Sequence, residues 1–548
     1  MIYLSTLFLS LFITITAIPV LNRFANKLRI LDIPDERKIH DRPMPRSGGI
    51  AIFLGVIVAA MLWIPKEGFF KGYLIGSAII VFFGLMDDLK GITYKVKFAG
   101  QIIAAFVVVL YGGVLVKDLG SLLPDNYLIP NWLAVPFTVL IIVGVTNAIN
   151  LSDGLDGLAG GITLLSFCCI GLLAYLILDG NIMITLISIS FIGALFGFLR
   201  FNTYPATLFM GDTGSNFLGF SAITLSIALT QGNTPLDRLL PLIILGFPVL
   251  DAVSVMHERL AKGVSPFKAD KNHFHHKLMG LGFFHTEAVF LIYVIQACLI
   301  ISAFFLRFHS EWLLLISYII FSSLILAVFH LADITKWKLR RFDIVDLVIK
   351  GHLRELKGKS LVISFFFTII YIGIPVLLLF TCLVPKTIPI HFSILSAVFL
   401  VLILLTWFFK RVWMQGVLML VLYTIIPFVT YFSINNPFSW MQQDLARLDN
   451  IFFVILVFSV VMTLKLTKRQ QGFKATTMDF LILFVALVIP YIGGAHIHDR
   501  NLGLVVARTI ALYFGYEVLM GEVRSKLGIL TVSTLATLGL VIVRGLIA

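Results

Sequence analysis

Runs of roughly 17–22 apolar residues recur from one end of this chain to the other, and short polar stretches separate them. A helix rises about 1.5 Å per residue, so each run is long enough to cross a hydrocarbon core of about 30 Å. The first eleven fall at about 2–22, 48–64, 70–86, 98–116, 132–149, 159–179, 182–200, 215–230, 238–256, 288–306 and 311–331. Seven more follow at about 361–384, 388–409, 415–433, 450–466, 477–495, 502–520 and 527–547. The pattern predicts an all-α polytopic membrane protein. Residues 1–331 read as one membrane-embedded domain, 332–360 as a charged cytoplasmic linker, and 361–548 as an additional transmembrane region of unknown role.

Composition sharpens this picture. Hydrophobic residues make up 59% of the 548 and charged residues only 13%, which excludes an ordinary soluble protein of this size. A net charge of +13 would suit a nucleic-acid binder, but the positive residues sit in loops between spans. The membrane accounts for them, and no nucleic-acid partner is expected. About three quarters of the 42 lysines and arginines lie in loops that follow odd-numbered runs. That asymmetry puts the N-terminus outside and those loops in the cytoplasm. Residues 1–22 lack a basic leader and a small-residue cleavage site, so they read as a permanent span. Cys168, Cys169, Cys298 and Cys382 fall inside runs and read as packing residues.

Several polar clusters break the apolar pattern, and the charge count brings them all to the cytoplasmic face. Between Asn147 and Gly161 stand Asn150, Asp153 and Asp156, at i, i+3 and i+6, which on a helix would share one face. Carboxylates at a membrane edge are costly and persist where they bind an ion, a substrate or each other. A polar turn broken by Gly154 and Gly157 explains one acid, but not three polar residues in register. Asp87-Asp88 closes a run ahead of Lys90, Lys95 and Lys97, where a solvated helix end is the plainer alternative. Gly211-Asp212-Thr213-Gly214-Ser215 sets a carboxylate at the start of a span, where Asp212, Thr213 or Ser215 would cap the helix, or free amides would suit a phosphate.

His273-Phe274-His275-His276 lies among Lys268, Lys271 and Lys277. Zinc lacks further partners in reach, and a lipid surface explains the lysines but not three histidines. Imidazoles facing phosphate or sugar hydroxyls fit better. The basic stretch Pro34–Gly49 ends in Arg46-Ser47-Gly48-Gly49, which suits a lipid surface or a grip on an anionic group. Acids ringed by basic loops suit a divalent metal that holds phosphates, Mg²⁺ first and Mn²⁺ as an alternative.

Met86-Asp-Asp-Leu-Lys90 with Lys97-Phe-Ala-Gly-Gln101, Asn150-Leu-Ser-Asp-Gly-Leu-Asp-Gly157, Phe209-Met-Gly-Asp-Thr-Gly-Ser215 and His273-Phe-His-His276 follow one another in a set order. Together they resemble the signatures of the polyprenyl-phosphate N-acetylhexosamine-1-phosphate transferases, over roughly residues 1–345. The resemblance implies Mg²⁺-dependent transfer of a sugar 1-phosphate from a UDP-N-acetylhexosamine to polyprenyl (undecaprenyl) phosphate, releasing UMP at the cytoplasmic face of the inner membrane. It implies that Asp87 and Asp88 stand near the lipid phosphate and metal, and that Asp212 is a metal ligand. Asn150, Asp153 and Asp156 match the nucleotide and catalytic loop; His273, His275 and His276 match the sugar-nucleotide loop, and Lys97 a family lysine. Arg46-Ser-Gly-Gly49 and the His-Phe-His-His form resemble the branch that uses UDP-N-acetylglucosamine to start O-antigen, teichoic acid or enterobacterial antigen. The transferase of UDP-MurNAc-pentapeptide is the nearest alternative, and an oligomer is compatible with either. A secondary transporter is the alternative from another class, with its ion site in broken helices.

Residues 361–548 carry no matching motif. Arg508 and Glu517, the outside loop His496–Arg500, and Arg544 are their unusual charges; an interhelical salt bridge and a snorkelling arginine are the expected explanation.

Overall fold

The computed structural model describes residues 2–28, 31–32, 43–65, 68–124, 127–177, 182–265, 272–338, 360–409, 414–441, 443–466, 502–522 and 528–547, and the structural statements below concern these. The expected span at 477–495, the loop His496–Arg500, Lys268, Lys271 and most of the charged stretch 332–360 lie outside them. Nineteen α-helices, a short 3-10 helix at Gly120–Leu122 and one two-stranded ribbon, β1 (Leu31–Asp32) with β2 (Met44–Pro45), make up the described secondary structure. Eleven of the helices are long and apolar enough to cross a membrane. The protein is a multi-pass, all-α membrane protein.

The helices group into two compact units, one within Met1–Arg340 and one within the residues that follow. The first holds α1 (Ile2–Leu28), α2 (Gly48–Trp63), α3 (Gly68–Lys90), α4 (Tyr94–Leu110), α5 (Asn131–Leu151), α6 (Leu158–Ile177) and α7 (Ile182–Asn202). It continues with α8 (Gly211–Thr230), α9 (Leu240–Ile244), α10 (Gly246–Ala261), α11 (Phe274–Gly280), α12 (His285–Leu306) and α13 (Glu311–Ile334). Its centre is α8, buried along nearly its whole length and packed by α2, α3, α5 and α6. Small residues permit this: a Cβ on Gly49 of α2 would stand 2.2 Å from the Gly214 nitrogen of α8. At the flank α1 packs on α7, where the Ser10 hydroxyl donates to the Ser190 carbonyl at 2.5 Å.

One expected span is broken. Residues 238–256 form α9 and α10, which part at Leu245-Gly246, with Pro241 and Pro248 on either side. Proline has no N–H, so Pro248 leaves the Ile244 carbonyl without its helical donor. Inside a membrane that oxygen needs another partner. Gln296 Nε2 of α12 (2.7 Å) and the Ser166 hydroxyl of α6 (2.9 Å) supply it.

The second unit contains α14 (Ser360–Leu383), α15 (Ile390–Phe409), α16 (Met414–Asn435), α17 (Gln443–Leu466), α18 (Leu502–Glu522) and α19 (Gly528–Ile547). Two apolar clusters hold it together, one around Leu377, Leu456 and Leu512, the other around Val421 and Leu538. Arg508 forms an interhelical salt bridge, with Asp449 of α17 at 2.6 Å. Arg544 donates to the carbonyls of Cys382 and Leu383 at the end of α14.

Candidate active site

Every site residue expected from the sequence lies at one end of the first unit. The C-terminal ends of α3, α5 and α7 meet there with the N-terminal ends of α2, α4 and α8. Lys97 is the hinge of the cluster. Its ammonium group lies 3.4 Å from Asp87 Oδ2, donates to Asn150 Oδ1 at 3.2 Å, and bonds Asp212 Oδ1. The Asn150 amide completes the ring, donating to Asp212 Oδ1 at 2.6 Å and to the Ser215 hydroxyl at 2.7 Å. Three of the sequence clusters are therefore in direct contact.

Asp88 has a different surrounding from its neighbour. Its Oδ1 accepts from the Asp212 amide at 2.9 Å, and its Oδ2 from the Thr213 amide at 2.9 Å and the Thr213 hydroxyl at 2.6 Å. Asp88 thus caps α8 from another helix, satisfying two of the amides that a helix start leaves open. The sequence had pointed to a cap from Asp212, Thr213 or Ser215 and to amides open to a phosphate; at Asp212 and Thr213 both roles go to Asp88 instead. Gly211 takes φ +69°, and a Cβ there would stand 2.6 Å from both Asp88 oxygens, so the turn requires glycine. Arg46 Nη1 lies 3.8 Å from Asp88 Oδ1, with the other arm of its guanidinium on Asp32.

The loop between α5 and α6 supplies the other two acids. Asp156 Oδ2 accepts the Ala206 N–H at 2.9 Å. Asp153 has its pKa pushed up to about 7, by burial first and then by the charges of Asp212, Asp88 and Asp156. Its side chain is surrounded by protein and keeps a part of its surface accessible.

The histidines pack against the same loop. His275 lies over Gly154, where a Cβ would fall 2.4 Å from its Nε2. Burial, then the neighbouring His276, His273 and His285, lowers the His275 pKa to about 3. At neutral pH His275 is therefore a neutral, hydrogen-bonding ring rather than a cation. His273 and His275 stack in parallel at 5.8 Å, and His276 lies 4.2 Å from His275.

Electrostatics decides what this arrangement can receive. Asp87, Asp88, Asp153 and Asp212 crowd around two cations, Lys97 and Arg46. An anionic substrate would meet net repulsion unless further positive charge came with it. Among the described residues no group of three or more acidic, histidine or cysteine side chains is set to hold a metal, so a divalent ion here would have the carboxylates of Asp87 and Asp212, which already share one cation, and would take its other oxygens from water and phosphate. An apolar groove of about 390 Å³ runs along α5, α8 and α10, from Ala148 and Met256 past Ile223 toward Thr230, Gln231 and Arg238 at the ends of these elements away from the cluster. It reaches Ala148, two residues before Asn150.

Comparison with known proteins agrees with this geometry. Residues 70–230 match the family model described as glycosyl transferase family 4. The chain is 38% identical over 330 residues to a Bacillus subtilis (strain 168) protein named as a probable undecaprenyl-phosphate N-acetylglucosaminyl 1-phosphate transferase, covering 60% of this chain and 90% of that one. The chain belongs to the polyprenyl-phosphate N-acetylhexosamine-1-phosphate transferases. An Escherichia coli (strain K12) undecaprenyl-phosphate alpha-N-acetylglucosaminyl 1-phosphate transferase is 31% identical over 357 residues, 62% of this chain and 92% of its own. A Mycobacterium leprae (strain TN) decaprenyl-phosphate N-acetylglucosaminephosphotransferase is 33% identical over 315 residues, 52% and 78% respectively. As a transferase of this family the protein is an enzyme, which removes the transporter alternative.

The structure of this transferase also brings forward residues the motifs do not contain. Asn202 accepts the Gly157 N–H at 3.0 Å, and the Tyr293 hydroxyl donates to the Gly157 carbonyl at 2.6 Å. His285 Nε2 accepts the Asp156 N–H at 3.1 Å while its ring stacks on Tyr204 at 4.6 Å. Asp251 of α10 contacts His273. Only Asp251 had a visible signal, as an acid inside an apolar run.

Proposed function

We propose that the enzyme transfers N-acetylglucosamine 1-phosphate from UDP-N-acetylglucosamine to polyprenyl phosphate at the cytoplasmic face of the inner membrane, releasing UMP and starting a cell-surface glycan. The observation that carries this reading is the ring of Lys97, Asp87, Asn150 and Asp212, four groups from four helices converging near the Ala148 end of an apolar groove. The names of the relatives support N-acetylglucosamine as the sugar and a polyprenyl phosphate as the acceptor.

The chemistry is consistent with the geometry. A phosphate monoester has a second pKa of about 6, so the acceptor is already a nucleophile at neutral pH. One of its oxygens attacks the phosphorus nearest the sugar, and UMP leaves. The task left to the enzyme is to hold two anions together in line. Asp87 and Asp212 would hold Mg²⁺, which supplies the positive charge that the acidic cluster lacks and steadies the charge moving onto the leaving phosphate. Lys97 orients both carboxylates and faces the phosphates, and Asp88 keeps Asp212 in place by capping α8. The groove beside α10 seats the isoprenoid tail. Asp153 and Asp156 face the nucleotide, with His273, His275 and His276 beyond them. UDP-sugars face the cytoplasm, which agrees with the charge asymmetry of the loops.

The test is an exchange assay with purified protein, Mg²⁺, polyprenyl phosphate, UDP-N-acetylglucosamine and labelled UMP. Label should enter the UDP-sugar, and Asp212→Asn should reduce the rate by about 10²-fold or more with the fold intact. Near-parental exchange by Asp212→Asn would refute its metal role. Exchange with UDP-MurNAc-pentapeptide alone would move the enzyme to the peptidoglycan branch.

A further inference from the structure

Asp251 is the one acid of the turn Val249-Leu250-Asp251-Ala252 in α10, and it is 2% exposed. A carboxylate in such a place is costly unless its oxygens are engaged. Both are, and by consecutive residues. Oδ2 lies 2.9 Å from His273 Nδ1, and Oδ1 accepts the Phe274 N–H at 2.8 Å. His273 is itself 6% exposed.

A carboxylate on Nδ1 fixes a histidine in two ways. The ring donates its Nδ1–H to the carboxylate, so Nε2 becomes the nitrogen offered to any other group, and rotation about the ring bonds is arrested. The same carboxylate sets the chain direction at the start of α11, which carries His275 and His276. His273 then stacks in parallel on His275, and His275 lies against Gly154 of the acidic loop. A line of contacts therefore runs from α10 through two imidazoles to the loop that carries Asp153 and Asp156. The residues following Asp251, Ala252 and Val253, line the apolar groove.

We propose that Asp251 is a positioning residue of the transferase: it holds His273 in the tautomer and orientation that present Nε2 to the sugar-nucleotide. The inference rests on the donor-side reading of the histidine cluster.

The test is a double-mutant cycle on the full-length protein in detergent, with kcat and KM for UDP-N-acetylglucosamine from the exchange assay and melting temperature measured in parallel. Asp251→Asn keeps an oxygen for the Phe274 N–H but offers His273 an amide donor instead of an acceptor. It should lower kcat/KM for the UDP-sugar by on the order of 10–100-fold while the KM for polyprenyl phosphate stays within a factor of about two. In a His273→Gln background the same change should cost less than about two-fold, because its effect is transmitted by His273. An equal loss in both backgrounds would overturn the proposal, since Asp251 would then act only on the fold. A second pair needs no change at Asp251: His273→Asn retains a donor at the Nδ1 position but nothing at Nε2, and it should fold and fail to turn over. Near-parental turnover by that variant would also overturn the proposal. A parent protein without exchange would remove the function and this role together, whereas an active parent without coupling removes the role alone.

Discussion

At the scale of single residues, Asp153 makes the clearest prediction. It lies between α5 and α6, outside the spanning helices, and its pKa is raised to about 7 by burial and by neighbouring carboxylates. An unfolded aspartate titrates near pH 4. A raised folded pKa means that the contribution to stability is whole below that value and disappears as pH rises toward about 7. Asp153→Asn should therefore flatten the fall in melting temperature between roughly pH 4 and 7, and melt above the parent at pH 8 without divalent metal. An unchanged melting profile would show that the carboxylate is not held in this way. The presence of Asp153 at a site was legible, because an acid in an apolar chain stands out. Its titration was not, since the charges acting on it include Asp88 and Asp212, each about 60 residues distant along the chain. Asp88 is a similar case: its partners lie 124 and 125 residues away, so pairing with Asp87 in sequence hid a capping role.

At the scale of elements, the close approach of α2 to α8 is held by glycine and by backbone bonds. The Gly48 amide donates to the Phe209 carbonyl at 3.0 Å and the Gly49 amide to the Met210 carbonyl at 2.9 Å. A methyl group on Gly49 would meet backbone that cannot turn aside. Gly49→Ala should destabilise by about 1–3 kcal/mol and lower exchange by displacing Asp212, as read by thermal unfolding and by the assay. Gly144→Ala, with nothing within 4 Å of the new carbon, should leave the melting temperature unchanged. Equal effects of the two would argue against packing as the cause. The helices themselves were largely legible because an apolar run of membrane length has few other fates. The break between α9 and α10 was not. Pro375 sits inside the unbroken α14, so proline alone does not decide. What decides near Pro248 is Gly246 together with Gln296 and Ser166, which stand ready to take the released carbonyl.

At the scale of the whole molecule, every residue of the cluster belongs to the unit within Met1–Arg340. Deleting 361–548 should leave labelled UMP exchange within a few-fold of the parent, with KM for both substrates retained. Loss of exchange in a folded, truncated protein would make the second unit part of the enzyme. That unit was legible as spans and as an interhelical salt bridge of Arg508, whose partner Asp449 was not legible because the two residues lie far apart in sequence with no motif around them.

The pairing of α1 with α7 carries a consequence for biosynthesis. Ser10 waits for Ser190, which the ribosome adds 180 residues later. At about 5–20 residues per second that is some ten seconds or more in which α1 has α2 to pack on but not yet α7. The interim is affordable because its hydroxyls can turn inward. Thr6 donates to the Ile2 carbonyl at 2.8 Å and Thr14 to the Ser10 carbonyl at 2.9 Å, so these two hydroxyls are satisfied within α1 itself. With those hydroxyls turned onto its own backbone, α1 is suited to lodge in the bilayer before α7 packs on it.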